Sequence, residues 1–246
     1  MSVGRFTKWR SLIDGQEALA IPDSVETHLD IWYPVDEGSG SSIADAQENG
    51  PDWTLNSPSW VSNEFWRNFG LDYDGVDDEA NSDSTVSIPN GDISLCTWVT
   101  MDELGDGNRP WVGFGDTQGN LDSDNEYGTL ALTDGDGTIR IWQGTDATSN
   151  PVELSGELDQ DTRYFIGATF DFGTESAVYV WDENSFQNSG TGSPSSSPSA
   201  GSHYLQSVDF DDRVQLDCTI DAYGFQTDGI LSQEDFEDIW EDTKPE

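Results

Sequence analysis

Apolar and polar residues alternate along much of this chain, which is the pattern of half-buried β-strands. In the segment TIRIWQG, Ile139 and Ile141 alternate with Arg140 and Trp142. The segment SAVYVWDEN alternates two valines with larger aromatic residues in the same way. Because successive side chains of a strand point to opposite faces, each segment is predicted to be an antiparallel strand with one face in the core.

Other segments are more continuously apolar and are separated by turn residues. ISLCTWVTM and RYFIGATFDF are predicted to be strands buried on both faces. TDGDGT and DFGTES carry the Asp and Gly residues of hairpin turns, where glycine can take a positive φ. Many short strands joined by such turns predict an all-β sandwich or barrel.

Three segments depart from the strand pattern. Residues 1–29 lack alternation and are predicted to be an N-terminal arm in front of a single domain of residues 30–246. Residues 187–202 are rich in Ser, Gly and Pro and are predicted to be a flexible surface loop. Near the C-terminus, Ser232 and Asp235 form a capping pattern in front of apolar residues at helical spacing, which predicts a short helix.

The charge is extreme, with 49 Asp and Glu against nine Lys and Arg and a net charge of −40. Intrinsic disorder also combines high charge with low hydrophobicity, but here the acidic residues are interspersed among aromatic, strand-like segments. Such a surface repels itself unless salt screens it, and it is typical of a halophilic protein. The negative field disfavours nucleic acid and anionic membrane surfaces as partners.

The sequence carries no predicted membrane-inserting segment and no signal peptide, because the basic start MSVGRFTKWRSLIDG lacks an apolar core. The two cysteines, Cys96 and Cys218, allow one disulfide, but buried free thiols are the favoured interpretation.

A set of motifs in a fixed order resembles LamG-like domains of the concanavalin A-like lectin/glucanase superfamily. The motifs are WYPVDEGSGSSIADAQENG, FGLDYDGVDD, ISLCTWVTMDEL, RYFIGATFD, VYVWDEN and IDAYGFQTDGILSQEDF. The resemblance covers residues 30–243 and depends on the order of the whole set, not on one diagnostic motif. It implies a concanavalin A-like jelly-roll sandwich of two antiparallel sheets, flanked here by the arm and the short C-terminal helix.

The resemblance also implies a structural calcium ion. Carried over by position, its ligands are Asp36, Asp74 and Asp221. Carboxylate oxygens suit calcium, and such an ion would tie together the two ends of the chain. The alternative is that these acidic turns are solvated loops without an ion.

We expect the protein not to be an enzyme. The glucanases of the superfamily carry a Glu-x-Asp-x-Glu motif, because a retaining mechanism needs two carboxylates about 5 Å apart, and this chain has no such motif. His28 and His203 have no Ser or Cys partner in a recognisable motif, so a catalytic triad is not predicted.

Two binding functions remain. Arg140 and Trp142 share the outward face of one predicted strand, and Tyr179 and Trp181 share that of another, which predicts a glycan-binding site of stacking aromatic rings. The alternative for each aromatic residue is burial in the core or in a subunit contact.

The arm predicts a docking function. Arg5, Phe6, Lys8, Trp9 and Arg10 combine positive charge with aromatic surface, which favours docking on an acidic protein of a larger assembly. A disordered tail is the alternative. Together with the fold, the arm predicts a homo-oligomeric virion surface component, such as a capsid turret, decoration or tail fibre, that attaches to host-surface glycans. The alternative is a carbohydrate-binding domain of a cellular surface or exported protein.

Overall fold

A computed structural model describes residues 21–62, 69–104, 108–116, 118, 127–133, 135–143, 152–171, 174–193, 201–207 and 216–245. For residues 108–110, 127, 131–133 and 142–143 it describes the backbone alone. The elements follow one another as α1 (Asp23–His28), β1 (Ile31–Tyr33), β2 (Ser42–Ile43), β3 (Trp53–Asn56), β4 (Ser59–Ser62), β5 (Phe69–Asp74), β6 (Glu79–Ser82), β7 (Val86–Ile88), β8 (Ile93–Met101), β9 (Asn108–Gly115), β10 (Tyr127–Thr133), β11 (Thr138–Gln143), β12 (Val152–Leu154), β13 (Arg163–Phe170), β14 (Ser176–Asp182), β15 (Phe186–Gly192), β16 (Gly201–Ser207), β17 (Asp217–Gln226) and α2 (Gln233–Thr243).

The strands form two antiparallel sheets. Sheet one has the order β15-β14-β13-β8-β17-β5-β4, and β1 pairs with β17 beside this path. Sheet two has the order β12-β11-β10-β9-β16-β6-β3-β2, and β7 pairs with β16. The predicted all-β sandwich is confirmed. The two predicted hairpins are present as well, joining β10 to β11 and β13 to β14.

The apolar residues of the alternating segments fill the space between the two sheets. Ile139 and Ile141 of β11 are fully buried in one core with Val178 and Val180 of β14. Each strand therefore sends every second side chain inward, as its period of two requires. Burial of such branched side chains contributes about 1.5–3 kcal/mol each relative to exposure.

A second core lies on the outer face of sheet one, beneath the two helices. Val25 of α1 and Phe236 and Ile239 of α2 are buried together with Trp98 and Trp181 of the sheet. The predicted capping box of α2 is confirmed, since the Ser232 hydroxyl accepts from the backbone N–H of Asp235. No helix among the described residues is long and apolar enough to cross a membrane.

Two predicted boundaries were wrong. Residues 21–29 belong to the folded body, because Ile21, Val25 and Leu29 are buried in the second core. The predicted arm therefore reaches no further than residue 20, and its residues 1–20 lie outside the described part of the chain. Residues 187–192 form most of β15, not a flexible loop, and 201–202 begin β16; residues 194–200 lie outside the described part.

Strand β15 forms despite its Gly and Ser content because its backbone completes a ladder with β14, in which Val178 lies opposite Gly190. A Cβ on Gly190 would come within 3.0 Å of the Leu154 side chain, so a small residue is needed where the two sheets meet. Both cysteines are buried free thiols, as expected. Burial raises the pKa of each thiol and keeps it protonated.

Candidate functional site

The four residues predicted to bind a glycan do not form one site. Arg140 and Trp142 lie on β11 of sheet two, whereas Tyr179 and Trp181 lie on β14 of sheet one. Since Ile141 of β11 and Val180 of β14 fill the common core, Arg140 and the Tyr179–Trp181 pair belong to opposite outer faces of the sandwich.

Tyr179 and Trp181 pack against helix α2, and Tyr179 keeps part of its surface exposed. Their ring centroids lie 5.7 Å from Phe236 and 6.5 Å from Trp240, respectively. Trp181 is completely buried. The interpretation of this face as a ligand surface was wrong, because alternation distinguishes two faces of a strand but not what covers each.

Arg140 lies on the outer face of sheet two and is engaged in an ion pair. Its Nε is 2.8 Å from Oε2 of Glu153 on the neighbouring strand. Trp142 lies opposite Thr129 in the ladder, and its side chain lies outside the described part of the structure.

A polar pocket of about 310 Å³ lies elsewhere on this outer face. Its lining residues are Thr54 and Asn56 of β3, Glu79 and Asn81 of β6, and Gln118 from the segment after β9. Thr54 pairs with Asn81 and Asn56 pairs with Glu79 across the two strands, so four polar side chains form a square. Directly paired residues have Cβ atoms about 4.5–5.5 Å apart, which lets one ligand touch all four.

Alternation explains why these side chains point outward. Trp53 and Leu55 of β3 and Ala80 of β6 are buried in the core between the sheets. Their neighbours Thr54 and Asn56 are exposed. The pattern WTLN was therefore a signal for this face, but nothing in the sequence indicates that EANS is its partner strand.

The walls of the pocket are fixed by hydrogen bonds. The Asn56 amide donates to Oε1 of Glu79 at 3.0 Å. The Gln118 amide donates to the backbone carbonyl of Ser82 at 3.1 Å. The Thr54 hydroxyl donates to Asp83 at 2.6 Å. Such preset partners hold the polar groups in place before a ligand arrives.

Asn81 is the exceptional member of the lining. It is only 7% exposed. Its Oδ1 is buried and has no hydrogen-bond partner within the described part of the chain. Buried acceptors without partners are rare and costly, and a bound water or a donor group of a ligand would satisfy this one.

The pocket lies at one end of a lateral row across sheet two. Thr54, Asn81, Gln206, Gly113 and Thr129 pair in turn across β3, β6, β16, β9 and β10. With strands about 4.8 Å apart, this row is about 19 Å long. Gln206 and Thr129 are buried, whereas Thr54, and Ser42 opposite it on β2, are exposed, so polar groups reach solvent at the β2–β3–β6 end of the row.

The three predicted calcium ligands are not assembled. Asp74 groups with Asp77 and Asp78, whose carboxylate oxygens lie within 4.8 Å of one another in the turn after β5. Within the part of the chain that the structure describes, neither Asp36 nor Asp221 belongs to such a group. Asp221 is buried instead beside Arg163, with Oδ2 3.0 Å from the guanidinium Nε.

The carboxylates of the Asp74–Asp78 turn accept hydrogen bonds from its own backbone, with Asp78 Oδ2 2.7 Å from the Asp74 nitrogen. Burial, and the neighbouring carboxylates, raise the pKa of Asp78 above its usual range. The hard oxygens of the turn have the chemistry that calcium prefers.

Asp45, which the sequence did not single out, organises the other acidic loop. Its carboxylate accepts from the backbone N–H groups of Trp32, Gln47, Asn49 and Gly50 at 2.7–3.0 Å. An anion held by four N–H donors stabilises the loop without any metal. The predicted docking residues Arg5, Phe6, Lys8, Trp9 and Arg10 lie outside the described part of the chain.

No protein-family model matches this chain, and no curated protein sequence matches it. Solved structures share its fold. A Trypanosoma rangeli sialidase in complex with sialic acid superposes with a TM-score of 0.61 at 17% identity, over 95% of this chain and 35% of the sialidase. This chain therefore spans about a third of the length of that sialidase.

Two further structures are similar. Domain 4 of AbnA, a GH43 extracellular arabinanase from Geobacillus stearothermophilus in complex with arabinotriose, superposes with a TM-score of 0.59 at 18% identity, over 86% of this chain and 98% of that domain. The receptor-binding domain of botulinum neurotoxin mosaic serotype C/D superposes at 0.59 with 9% identity, over 88% of this chain and 51% of that one. At these identities the likeness shows a shared jelly-roll-like β-sandwich.

Proposed function

We propose that this protein is a non-catalytic carbohydrate-binding β-sandwich of the LamG-like kind, and that it binds a glycan in the pocket between β3 and β6. The observation that carries the proposal is Asn81, a nearly buried lining residue whose Oδ1 has no hydrogen-bond partner among the described residues, in a pocket lined otherwise by amide, hydroxyl and carboxylate groups. Sugar hydroxyls both donate and accept hydrogen bonds, so they complement such a lining.

The structural neighbours support this choice of ligand class. Two of them belong to proteins that act on carbohydrates, and one was solved as an isolated domain with arabinotriose bound. Shared architecture alone does not transfer function. The pocket of this chain therefore carries the argument, and the neighbours add to it.

The absence of catalysis is part of the proposal. Most glycosidases use two carboxylates that flank the bond to be cleaved. Glu79 is the one carboxylate among the residues that line the described pocket. Glu79 can accept from a ligand hydroxyl, whereas the neighbouring carboxylate, Asp83, lies outside the lining and is engaged by the Thr54 hydroxyl, so the arrangement suits binding.

The setting that we propose is a virion surface in a halophilic system. The net charge of −40 and the basic, aromatic start of the chain support an acidic body displayed through a docking arm. A cellular surface or exported protein is the alternative. Because residues 21–29 are part of the folded body, a test of the arm should delete residues 1–20 only. Loss of incorporation into purified virions, measured by mass spectrometry, is the expected result.

The binding proposal is tested on a glycan array with the full chain in concentrated salt. Parent protein should bind one class of oligosaccharide, and Asn81→Ala should weaken that binding at least about tenfold, the effect of one hydrogen bond. Asn184→Ala is the matched control, because Asn184 is exposed after β14 in sheet one. A parent protein that binds no glycan, or an Asn81→Ala variant that binds as well as the parent, would contradict the proposal.

A further inference from the structure

We infer that the β3–β6 pocket selects uncharged glycans and rejects acidic ones, and that Glu79 determines this selectivity. This inference rests on the proposed function and names the ligand class of the same site. It separates two chemistries found among the structural neighbours, the anionic sialic acid of one complex and the neutral arabinotriose of another.

The local electrostatics of the pocket carry the first step. Glu79 lines the pocket, and its Oε1 accepts from Asn56 at 3.0 Å. This contact holds the carboxylate in the polar square, beside Asn81. A ligand carboxylate bound to the same square would lie within a few ångströms of Glu79, and like charges at that distance repel strongly.

A second carboxylate reinforces this repulsion. Asp83 accepts from the Thr54 hydroxyl at 2.6 Å, so the hydroxyl proton of Thr54 is engaged by a residue outside the lining. The Thr54 oxygen is then left as an acceptor for a ligand donor. Oδ1 of Asn81 is also an acceptor. The pocket thus offers acceptors that suit hydroxyl donors and disfavour a carboxylate, which has no proton to donate.

Positive groups that could offset this repulsion lie elsewhere in the described structure. Arg163 and Lys244 belong to β13 and the end of α2, on the sheet-one side of the sandwich. Arg140, on β11, pairs with Glu153 on β12. Strand β11 lies four strands from β6 in sheet two, or about 19 Å at about 4.8 Å per strand. Among the described lining residues, none is cationic.

Two sources of repulsion must be separated in the test. The net charge of −40 opposes any anionic ligand at long range, whichever site it enters. At about 1 M salt the Debye length falls to about 3 Å, which screens this long-range field, whereas a contact inside the pocket is screened much less. Selectivity that persists in concentrated salt therefore reports on the pocket.

The experiment compares matched neutral and acidic probes at about 1 M salt. The neutral probes are arabinotriose, cellotetraose, mannotriose and lactose. The acidic partners of arabinotriose, cellotetraose and mannotriose are the same oligosaccharides with one primary hydroxyl oxidised to a carboxylic acid. The acidic partner of lactose is sialyllactose. Parent protein, Glu79→Gln and the control Glu237→Gln are measured by titration calorimetry. Glu237 is exposed on α2, on the opposite side of the sandwich, and its substitution makes the same change of charge.

The parent and the control should bind a neutral probe at least about tenfold more tightly than its acidic partner. Glu79→Gln should reduce this preference to near one by gaining affinity for the acidic probe. Equal or tighter binding of the acidic probe by the parent overturns the inference while the proposed function stands. If Glu79→Gln keeps the parent's preference for the neutral over the acidic probe, Glu79 does not cause the selectivity and the inference is overturned as well. Binding of no probe by the parent defeats the proposed function itself.

Discussion

Gly167 of strand β13 lies directly against the ring of Phe236 in helix α2, so closely that a Cβ on Gly167 would be 2.7 Å from the ring. Phe236 is completely buried, so its ring cannot swing away from the sheet. The contact fixes how closely the helix approaches sheet one. The same helix covers Tyr179 and Trp181, and it therefore decides which face of the sandwich remains available for a ligand.

We expect Gly167→Ala to destabilise the protein by about 1–3 kcal/mol, because overpacking displaces the helix. Gly229→Ala is the control, since its added Cβ would meet only Gln226 Cγ at 3.9 Å. Urea unfolding followed by tryptophan fluorescence measures both. Equal stability of the two variants would show that α2 can shift without cost.

Replacing the Asn81 side chain by an apolar one should not lower the free energy of unfolding. Asn81→Leu removes a buried acceptor for which the described residues supply no donor, so the free energy of unfolding should stay constant or rise. Gln47→Leu is the contrasting variant, because the Gln47 amide donates to the carbonyls of Val25 and Leu29. Its loss removes both bonds, although the Val25 carbonyl keeps the bond from the Leu29 N–H, and should cost about 1–3 kcal/mol. A clear loss of stability in Asn81→Leu, measured by urea unfolding, would show a structural role for this side chain.

The two arginine ion pairs should differ sharply in energy. Arg163 lies beside the Asp221 carboxylate, whose side chain is 0% exposed, so Arg163→Ala removes a cationic partner from a buried charge. We expect a loss of about 3–5 kcal/mol. Arg140→Ala breaks the exposed pair with Glu153 and should cost less than about 1 kcal/mol. Thermal unfolding in the same buffer compares them, and similar melting temperatures would contradict the difference.

The turn that contains Asp78 should make stability depend on pH. Burial raises the folded-state pKa of Asp78 above the ordinary value of 3.8, so the folded state holds this proton more tightly than the unfolded state. Stability from this group is therefore lost as pH rises through the folded pKa. Asp78→Asn should be at least as stable as the parent at neutral pH and less dependent on pH just above 3.8.

Calcium gives a second measurement on the same variant. An ion held by the turn would raise the melting temperature of the parent more than that of Asp78→Asn. Glu237→Gln controls for the change in net charge. If calcium does not change the melting temperature of the parent protein, calcium does not bind at this turn.

Salt should stabilise the protein strongly. A net charge of −40 repels itself in dilute buffer, and screening relieves that repulsion. The free energy of unfolding should rise steadily as potassium chloride increases from about 0.05 M, where the Debye length exceeds 10 Å, to about 1 M, where it is about 3 Å. Urea unfolding at each salt concentration measures this. A flat dependence would contradict the halophilic interpretation.

The sequence by itself determined the local pattern of this protein. The alternation of Ile139 and Ile141 with polar neighbours was sufficient to predict a half-buried strand, because strand periodicity is a property of the backbone. The capping box of Ser232 and Asp235 predicted the last helix, since its hydrogen bonds join residues three apart.

The tertiary structure alone decided which outward faces are covered and which strands become neighbours. Tyr179 and Trp181 have the alternation expected of solvent-facing residues, but a helix more than 50 residues later packs over them. The pocket arises because β3 pairs with β6, which brings Thr54 beside Asn81. Periodicity is read along one strand, whereas burial and a binding site depend on contacts between segments that are distant in the chain.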